Sequence, residues 1–220
     1  MTRDLFWGGT QRNMPKGYTS DTCRRSQSAS DSGRMRIMKI RSRTFVSLDG
    51  YVTTPDGWPV QMALGTFSPH ESHGYGEFTA ASGAAVMGRT TFLPALGAPS
   101  WPWPTLQVFV LTSQPLPPET PADVVVSQGG PAGLLEQMRA ANFDGDVHLV
   151  GGPQTIKAFA DIGALDRMEI LVAPIMTGQG LPLSVAGTDV SRLQLLEVGE
   201  TYPDGTIELI YAPPPPSIAL

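Results

Sequence analysis

The stretch Asp146–Phe159, DVHLVGGPQTIKAF, joins an apolar segment to a helical one with no ordinary loop between them. Val147 to Val150 reads as a buried strand, and Gly151 and Gly152 end it abruptly. Proline is favoured at the first helical position, so Pro153 predicts that a helix begins at once. The whole segment therefore predicts a strand that passes directly into a helix.

This junction has two interpretations. The two glycines would let the backbone approach a ligand closely, and Gln154 and Thr155 fall in the first helical turn, where free N–H groups bind phosphate. The stretch is neither a Walker loop, which needs Gly-Lys-Ser/Thr, nor a Rossmann G-x-G-x-x-G. It predicts either a turn that cradles pyrophosphate or a tight junction that simply needs glycine.

Strands and helices alternate along the rest of the chain. Strands are predicted at 43–48, 84–88, 106–113, 122–127, 146–152 and 167–176, helices at 68–81, 89–96, 131–141 and 153–165, and a hairpin at 193–202 and 206–212. Ser68 is a candidate N-cap of the first helix. Such alternation predicts an α/β fold with a mostly parallel sheet covered on both faces, closed by an antiparallel hairpin.

Charge is distributed unevenly in the 220 residues. Residues 1–43 hold ten Lys/Arg and three Asp, a net +7, whereas residues 44–220 hold five Lys/Arg and 17 Asp/Glu, a net −12. An acidic body is a poor nucleic-acid binder, because that affinity rests on cations that neutralise phosphates. It can still hold a phosphorylated small molecule if its five cations are well placed: Arg89, Arg139, Lys157, Arg167 and Arg192.

The ends of the chain differ in composition from its middle. Residues 1–36 are polar without a hydrophobic period, which predicts a disordered basic leader, and residues 213–220 form a proline-rich tail. A single cysteine, Cys23, excludes an internal disulfide and a multi-cysteine metal site. No apolar run is long enough to cross a membrane and no secretory signal is apparent, so we expect a cytoplasmic protein. We also expect no bound metal.

Two more strand ends carry polar groups suited to an anion. VMGRTTF supplies Gly88, Arg89 and Thr90 where a strand passes to a helix, and VFVLTSQP ends in Thr112 and Ser113. Arginine offers a two-pronged donor to phosphate, and short hydroxyls complete such a shell. Because ligands of parallel sheets bind at the carboxyl ends of the strands, these motifs predict one shared site.

The motifs MGRTTF, VLTSQP and LVGGPQTIKAF, in that order, resemble the dihydrofolate reductase fold, a three-layer sandwich. FVSLDGYVTTPDG and GALDRMEILVAPIMTGQGLPL resemble more closely the reductase domain of the bacterial bifunctional riboflavin-biosynthesis deaminase–reductase and its stand-alone relatives. The resemblance covers about residues 38–212, within a reductase domain that we place at 37–212.

The resemblance implies a homodimeric, NADPH-dependent reductase of a pterin-, pyrimidine- or flavin-like ring, with hydride passing to a C=N or C=O carbon. It implies cofactor contacts at Gly88, Arg89, Thr90, Leu111, Thr112, Ser113, Val150, Gly151, Gly152, Gln154 and Thr155. It places Ser47, Asp49 and Gly50 beside the nicotinamide and the substrate. A non-catalytic NADP-binding protein on the same scaffold is the alternative.

The sequence departs from the riboflavin reductases at polar positions. Arg43 stands where they carry lysine, and Leu149-Val150 stands where many have Val-Glu. These differences favour a different substrate. Asp49 is the first candidate for anchoring or protonating the substrate and Glu77 the second. Other possibilities are Glu71 and His73 as acid groups, and Trp58, Trp101 and Trp103 either as stacking platforms or as loop packing.

Overall fold

A computed structural model describes residues 38–68, 71–98, 100–127, 129–185 and 192–213. The predicted basic leader and residues 214–220 of the predicted tail lie outside the described residues. None of the described helices is long and apolar enough to span a bilayer.

One eight-stranded sheet forms the centre of the domain. Its strands are β1 (Ile40–Ser47), β2 (Ser82–Gly88), β3 (Gln107–Leu111), β4 (Val125–Ser127), β5 (Asp146–Gly151), β6 (Arg167–Ala173), β7 (Gln194–Thr201) and β8 (Ile207–Ala212). They lie in the order β4-β3-β2-β5-β1-β6-β8-β7. The first six strands in this order are parallel to one another, and β8 is antiparallel to both β6 and β7. The mostly parallel sheet and the closing antiparallel hairpin are confirmed.

Helices cover both faces of the sheet. They are α1 (Tyr75–Ala80), α2 (Arg89–Leu96), α3 (Gly130–Ala140) and α4 (Pro153–Asp161), with a 3-10 helix at Val60–Leu64. The α3/α4 face buries an apolar cluster that includes Phe109, Leu134 and Phe159. The opposite face buries Met87 and Phe92 beneath α2, and Phe45 beneath the 3-10 helix. This layering is the predicted three-layer sandwich.

The segment predicted as a helix at 68–81 is a helix only over its second half. Its N-cap is Gly74, not Ser68, so the predicted cap is wrong. His73 and Gly74 both adopt left-handed backbone conformations, with φ of 54° and 68°, and these interrupt any helix that starts upstream. The hydroxyl of Ser68 instead donates to Glu71 at 3.0 Å.

The apolar strand β6 lies inside the sheet. It is flanked by β1 and β8, and its Ile170 and Leu171 are buried in the protein's own core. Exposed apolar side chains occur instead on the edge strand β7, at Leu195, Leu196 and Val198. The homodimer itself stays a prediction.

Candidate functional site

Four neighbouring strands end at one edge with the predicted cofactor residues. β3, β2, β5 and β1 are adjacent and parallel, so their carboxyl ends lie side by side. Gly88 is paired with Leu111, and Met87 with Gly151. The sheet thus brings together the three motifs that were separate in sequence, as the pattern predicted.

The sheet opens between β1 and β5 at this edge. These two strands pair only from Ile40 to Ser42, opposite Val147 to Leu149. β1 then continues to Ser47 paired with β6 alone. Within the described residues, therefore, the side of β1 facing β5 carries no strand beyond Ser42. We name this opening, between the second half of β1 and Gly151–Gly152, the strand gap.

Two helices point their amino ends at the same edge. α2 begins after its N-cap Gly88, and α4 begins after its N-cap Gly152. A Cβ built on Gly88 would lie 2.9 Å from the hydroxyl oxygen of Thr155, so the two helix starts are in contact through these residues. Free backbone N–H groups and the helix dipole make such a pair of helix starts attractive to an anion.

The two glycines of the junction differ in conformation. Gly151 has φ of 110°, a left-handed region that favours glycine, and the peptide bond between it and Gly152 is cis. Gly152 has φ of −72° and ψ of −167°, which other residues adopt readily. A Cβ on Gly152 would have no described atom within 4 Å, so it would project into open space. That space can receive a ligand that approaches the backbone.

Arg89 lies on the side of the site near β3. Arg89 donates from Nη1 to the carbonyl oxygen of Pro115 at 2.6 Å, which holds it beside the Ser113–Pro115 turn. Arg89 forms no ion pair with any described residue. Thr112 uses its hydroxyl to close the turn, accepting from the amide of Gln114 at 3.0 Å. Ser113 and Thr90 are exposed.

Asp49 is fixed at the end of β1. Its carboxylate accepts from the Ser47 hydroxyl at 2.6 Å and from the amides of Thr177 and Gly178 at 3.2 and 2.7 Å. The Ser47 hydroxyl, followed by the Gly178 and Thr177 amides, lowers the pKa of Asp49 to about 2. Asp49 is therefore ionised at neutral pH and ties the turn after β1, with Gly50, to the loop after β6.

Glu77 is not brought to this edge. It lies on α1, before β2, and lines a cavity of about 700 Å³ on the α1 face of the sheet. Glu71, another candidate acid group, also lines that cavity, but none of the predicted cofactor residues does. The cavity is bordered by Arg41, Arg43, Glu71, Gly74, Phe78, Glu169, Glu197, Val198, Gly199, Glu200, Tyr202 and Glu208.

Arg43 is occupied by partners inside the protein. It is 5% exposed, and its Nη1 donates to Glu169 at 2.7 Å and to Glu208 at 2.5 Å. Its Nη2 donates to the carbonyl oxygen of His73 and to the hydroxyl of Tyr202. Burial alone would lower the pKa of Arg43, but Glu208 and Glu169 hold it above its usual value.

The remaining candidates divide into packing and surface residues. Trp101 and Trp103 pack against the core beneath α2, with ring centroids 5.4 Å apart, so they act as packing residues. Trp58 is 67% exposed. His73 is buried, with its Nδ1 2.9 Å from the Ser72 hydroxyl and its Nε2 2.9 Å from Asp204, so it links two loops. Glu71 is exposed at the surface.

Sequence reasoning missed the partners of Asp49 and of Arg43. A signal existed for the partners of Arg43. Arg41 and Arg43 stand two apart on a strand, hence on one face, and Glu169 is a charge between apolar residues of β6. Buried charges need opposite charges beside them, which predicts this pairing. No local pattern joins Asp49 to the amides of Thr177 and Gly178, which are 128 and 129 residues away.

Comparison with known sequences gives a family. The model of the RibD C-terminal domain matches residues 38–207. The uncharacterized protein YwjB of Bacillus subtilis (strain 168) is 26% identical over 156 residues, covering 68% of this chain and 84% of that protein.

Solved structures share the fold. A putative riboflavin biosynthesis protein from Shewanella sp. PV-4 superposes with a TM-score of 0.68 at 24% identity, covering 80% of this chain and 98% of that one. RibD of Acinetobacter baumannii gives 0.58 at 19% identity, covering 80% of this chain and 58% of that one. The Thermotoga maritima diaminohydroxyphosphoribosylaminopyrimidine deaminase/5-amino-6-(5-phosphoribosylamino)uracil reductase gives 0.58 at 14%, covering 80% and 57%. With a family model that spans most of its length, the chain belongs to the RibD C-terminal domain family.

Proposed function

We propose that the protein is an NADPH-dependent reductase that transfers hydride to a C=N or C=O carbon of a pterin-, pyrimidine- or flavin-like ring. The observation that carries this proposal is the shared edge of β3, β2, β5 and β1, where two helix amino ends adjoin the strand gap. Membership of the RibD C-terminal domain family agrees with a reductase.

The phosphates of NADPH fit the part of the edge formed by β3, β2 and β5. The helix starts at Gly88 and Gly152 supply backbone donors for the pyrophosphate. Arg89 and Ser113, at the neighbouring ends of β2 and β3, suit the additional 2′-phosphate that distinguishes NADPH from NADH. The open space at Gly152 leaves room for the cofactor against the backbone.

The strand gap fits the nicotinamide. The side of β1 beyond Ser42 offers backbone groups without a strand partner among the described residues, and these can orient a carboxamide. When bound, NADPH supplies the hydride, with its electron pair, to the carbon of the acceptor double bond. Asp49 fixes the turn after β1 and thereby sets the other wall of the gap.

The acceptor heteroatom must also receive a proton. Asp49 is ionised at neutral pH, so it serves as a positioning residue and not as an acid. Glu77 lies on α1 beside a different cavity. We propose that water at the open edge delivers the proton. The same low pKa of Asp49 favours the second candidate function, a non-catalytic NADP-binding protein.

Turnover separates the two functions. Purified full-length protein is mixed with NADPH and a panel of pterins, uracils and flavins, and oxidation of NADPH is followed by its absorbance. Hydride transfer to any ring supports the reductase, whereas tight NADPH binding without transfer to any ring favours the binding protein. Absence of NADPH binding would reject both. We place the reaction in the cytoplasm, where reduced NADPH is maintained, and propose that the working form is a homodimer.

A further inference from the structure

We propose that the substrate is an unphosphorylated ring compound that binds against an apolar rim beside the strand gap. The apolar rim consists of Leu48, Trp58, Met62, Met176 and Leu181. This inference rests on the proposed function, since it names the substrate class of the same site.

The apolar rim is a set of large side chains left open to solvent at the carboxyl edge. Its members are exposed by 67%, 67%, 55%, 69% and 45% in the order Leu48, Trp58, Met62, Met176 and Leu181. Leu48, Trp58 and Met62 lie on the segment that follows β1, with Met62 in its 3-10 helix, and Met176 and Leu181 lie on the loop that follows β6. Exposed apolar groups concentrated beside a cofactor edge mark a surface that binds a ligand.

Backbone bonds tie these loops into one unit. The amide of Leu48 donates to Ile175 at 2.8 Å, which places Leu48 next to the Met176 loop. The amide of Val52 donates to Leu181 at 2.8 Å, and that of Val60 donates to Val52 at 3.0 Å. These backbone hydrogen bonds connect the segments after β1 and β6, so the apolar rim is a defined surface.

The segments that carry the apolar rim contain no cation. The sequence contains no Lys or Arg from Thr44 to Gly88, and none from Met168 to Ser191. Asp49, next to Leu48 and hydrogen-bonded to the amides of Thr177 and Gly178, adds a negative charge, and its pKa of about 2 keeps that charge at neutral pH. A phosphate monoester carries roughly −1.5 to −2 at neutral pH, so it would meet repulsion here with nothing to pair with.

The other described arginines and lysines have other partners or lie elsewhere. Arg41 pairs with Asp146 and Glu169, and Lys39 and Arg192 precede β1 and β7, which begin at the opposite, amino edge of β1 and β6. Arg43 is held by Glu169 and Glu208, and Arg139 by Glu136 at 2.7 Å. Lys157 pairs with Asp161 at 2.5 Å, and Arg167 lies 3.3 Å from Glu169. Arg89 is at the carboxyl edge, but at β2 beside Pro115, on the side assigned to the cofactor phosphates. Among the residues that the structure describes, a substrate phosphate at the apolar rim would therefore have no counter-charge.

The test compares matched compounds that differ by one phosphate. Full-length protein saturated with NADP⁺ is titrated with 5-amino-6-(ribosylamino)uracil and its 5′-phosphate, and with riboflavin and FMN, by calorimetry. We expect at least one unphosphorylated member to bind at least tenfold more tightly than its phosphate. Equal or tighter binding of both phosphates would overturn the inference, as would no binding of any unphosphorylated ring.

Variants locate the effect on the apolar rim. Trp58→Ala should lower the affinity for the unphosphorylated ring compound by at least about fivefold, since a stacking side chain is lost. Ile162→Ala is the matched control, because Ile162 is 38% exposed but follows α4, at the opposite end of that helix from the cofactor edge. Met176→Lys adds a cation to the apolar rim, so it should reduce the ratio between the affinity for the unphosphorylated compound and the affinity for its phosphate. Equal effects of the Trp58 and Ile162 changes would contradict the rim. NADPH affinity, measured separately in wild-type protein, tests the proposed function itself.

Discussion

The end of β2 touches the first turn of α4: a Cβ placed on Gly88 would lie 2.9 Å from the hydroxyl oxygen of Thr155. Thr155 is 7% exposed, so its stiff side chain has little room to retreat. The motifs that contain Gly88 and Thr155 thus lie against each other where the cofactor phosphates are proposed to bind. A side chain at Gly88 would act on the position of α4 as well as on α2.

Gly88→Ala should therefore lower the melting temperature and weaken NADPH binding, because it displaces the start of α4. Adding Thr155→Ala removes the hydroxyl and should restore stability, with a coupling free energy of about 1 kcal/mol between neighbouring residues. Thermal unfolding of the two single variants and the double variant measures this coupling. Strictly additive effects would show that the contact has no energetic weight.

Arg89→Ala should weaken NADPH about ten- to hundredfold while changing NADH much less, because a charged hydrogen bond contributes about 1.5–3 kcal/mol. Fluorescence titration with both cofactors measures the difference. Arg139→Ala is the control, since Arg139 is an exposed, ion-paired cation on α3. A loss of equal size for NADPH and NADH would contradict the placement of Arg89 at the 2′-phosphate.

Asp49→Asn should reduce kcat/KM for the ring substrate by on the order of ten- to a hundredfold, because the loop after β6 loses a charged acceptor and the ring is misplaced. The pKa of Asp49 is lowered, so its ionised form and the bonds that it accepts persist down to acid pH and are lost only as pH falls towards about 2.

Wild-type kcat/KM should accordingly show no limb from Asp49 between about pH 5 and pH 8. The pH profiles of wild type and Asp49→Asn decide this, with the melting temperature of each protein recorded alongside. A wild-type limb near neutral pH that disappears in the variant would make Asp49 the proton donor and reject its positioning role.

Arg43→Met should destabilise the fold by about 3–5 kcal/mol, because the buried carboxylates of Glu169 and Glu208 lose the cation between them. The double variant Arg43→Met/Glu208→Met should recover part of that loss. Denaturant unfolding gives both values, and Arg139→Met on the surface should stay within about 0.5 kcal/mol of wild type. A stable Arg43→Met single variant would show that the network is dispensable.

The fold was predictable because its elements have strong local signals. Apolar runs such as Val147–Val150 mark strands, and the glycine–proline junction marks the turn into α4. The strand-end motifs also allowed us to predict that the candidate cofactor residues share one edge. Predictions failed where two residues decided the backbone: the left-handed His73 and Gly74 shortened the first helix, and no pattern in the sequence announces a left-handed histidine.

The clamp around Asp49 and the pairs around Arg43 depend on residues more than 100 positions apart, so periodicity does not show them. Glu77 was the second candidate for anchoring or protonating the substrate, and the fold places it beside a cavity that none of the predicted cofactor residues lines. The strand gap likewise depends on how far β1 continues beyond its pairing with β5. The sequence of neither strand alone shows where that pairing ends.

NADPH titration of the Gly152→Ala variant tests the central claim most directly. Gly152 has φ of −72° and a Cβ there meets open space, so the variant should keep the wild-type melting temperature in the absence of cofactor. Gly133→Ala on α3 is the control: a Cβ there also meets no atom within 4 Å, and it lies away from the proposed site. We predict NADPH affinity at least tenfold weaker for Gly152→Ala, a loss of about 1.4 kcal/mol, and unchanged for Gly133→Ala. Unaltered NADPH affinity in folded Gly152→Ala would mean that the two glycines only turn the chain, and would contradict the proposed cofactor site.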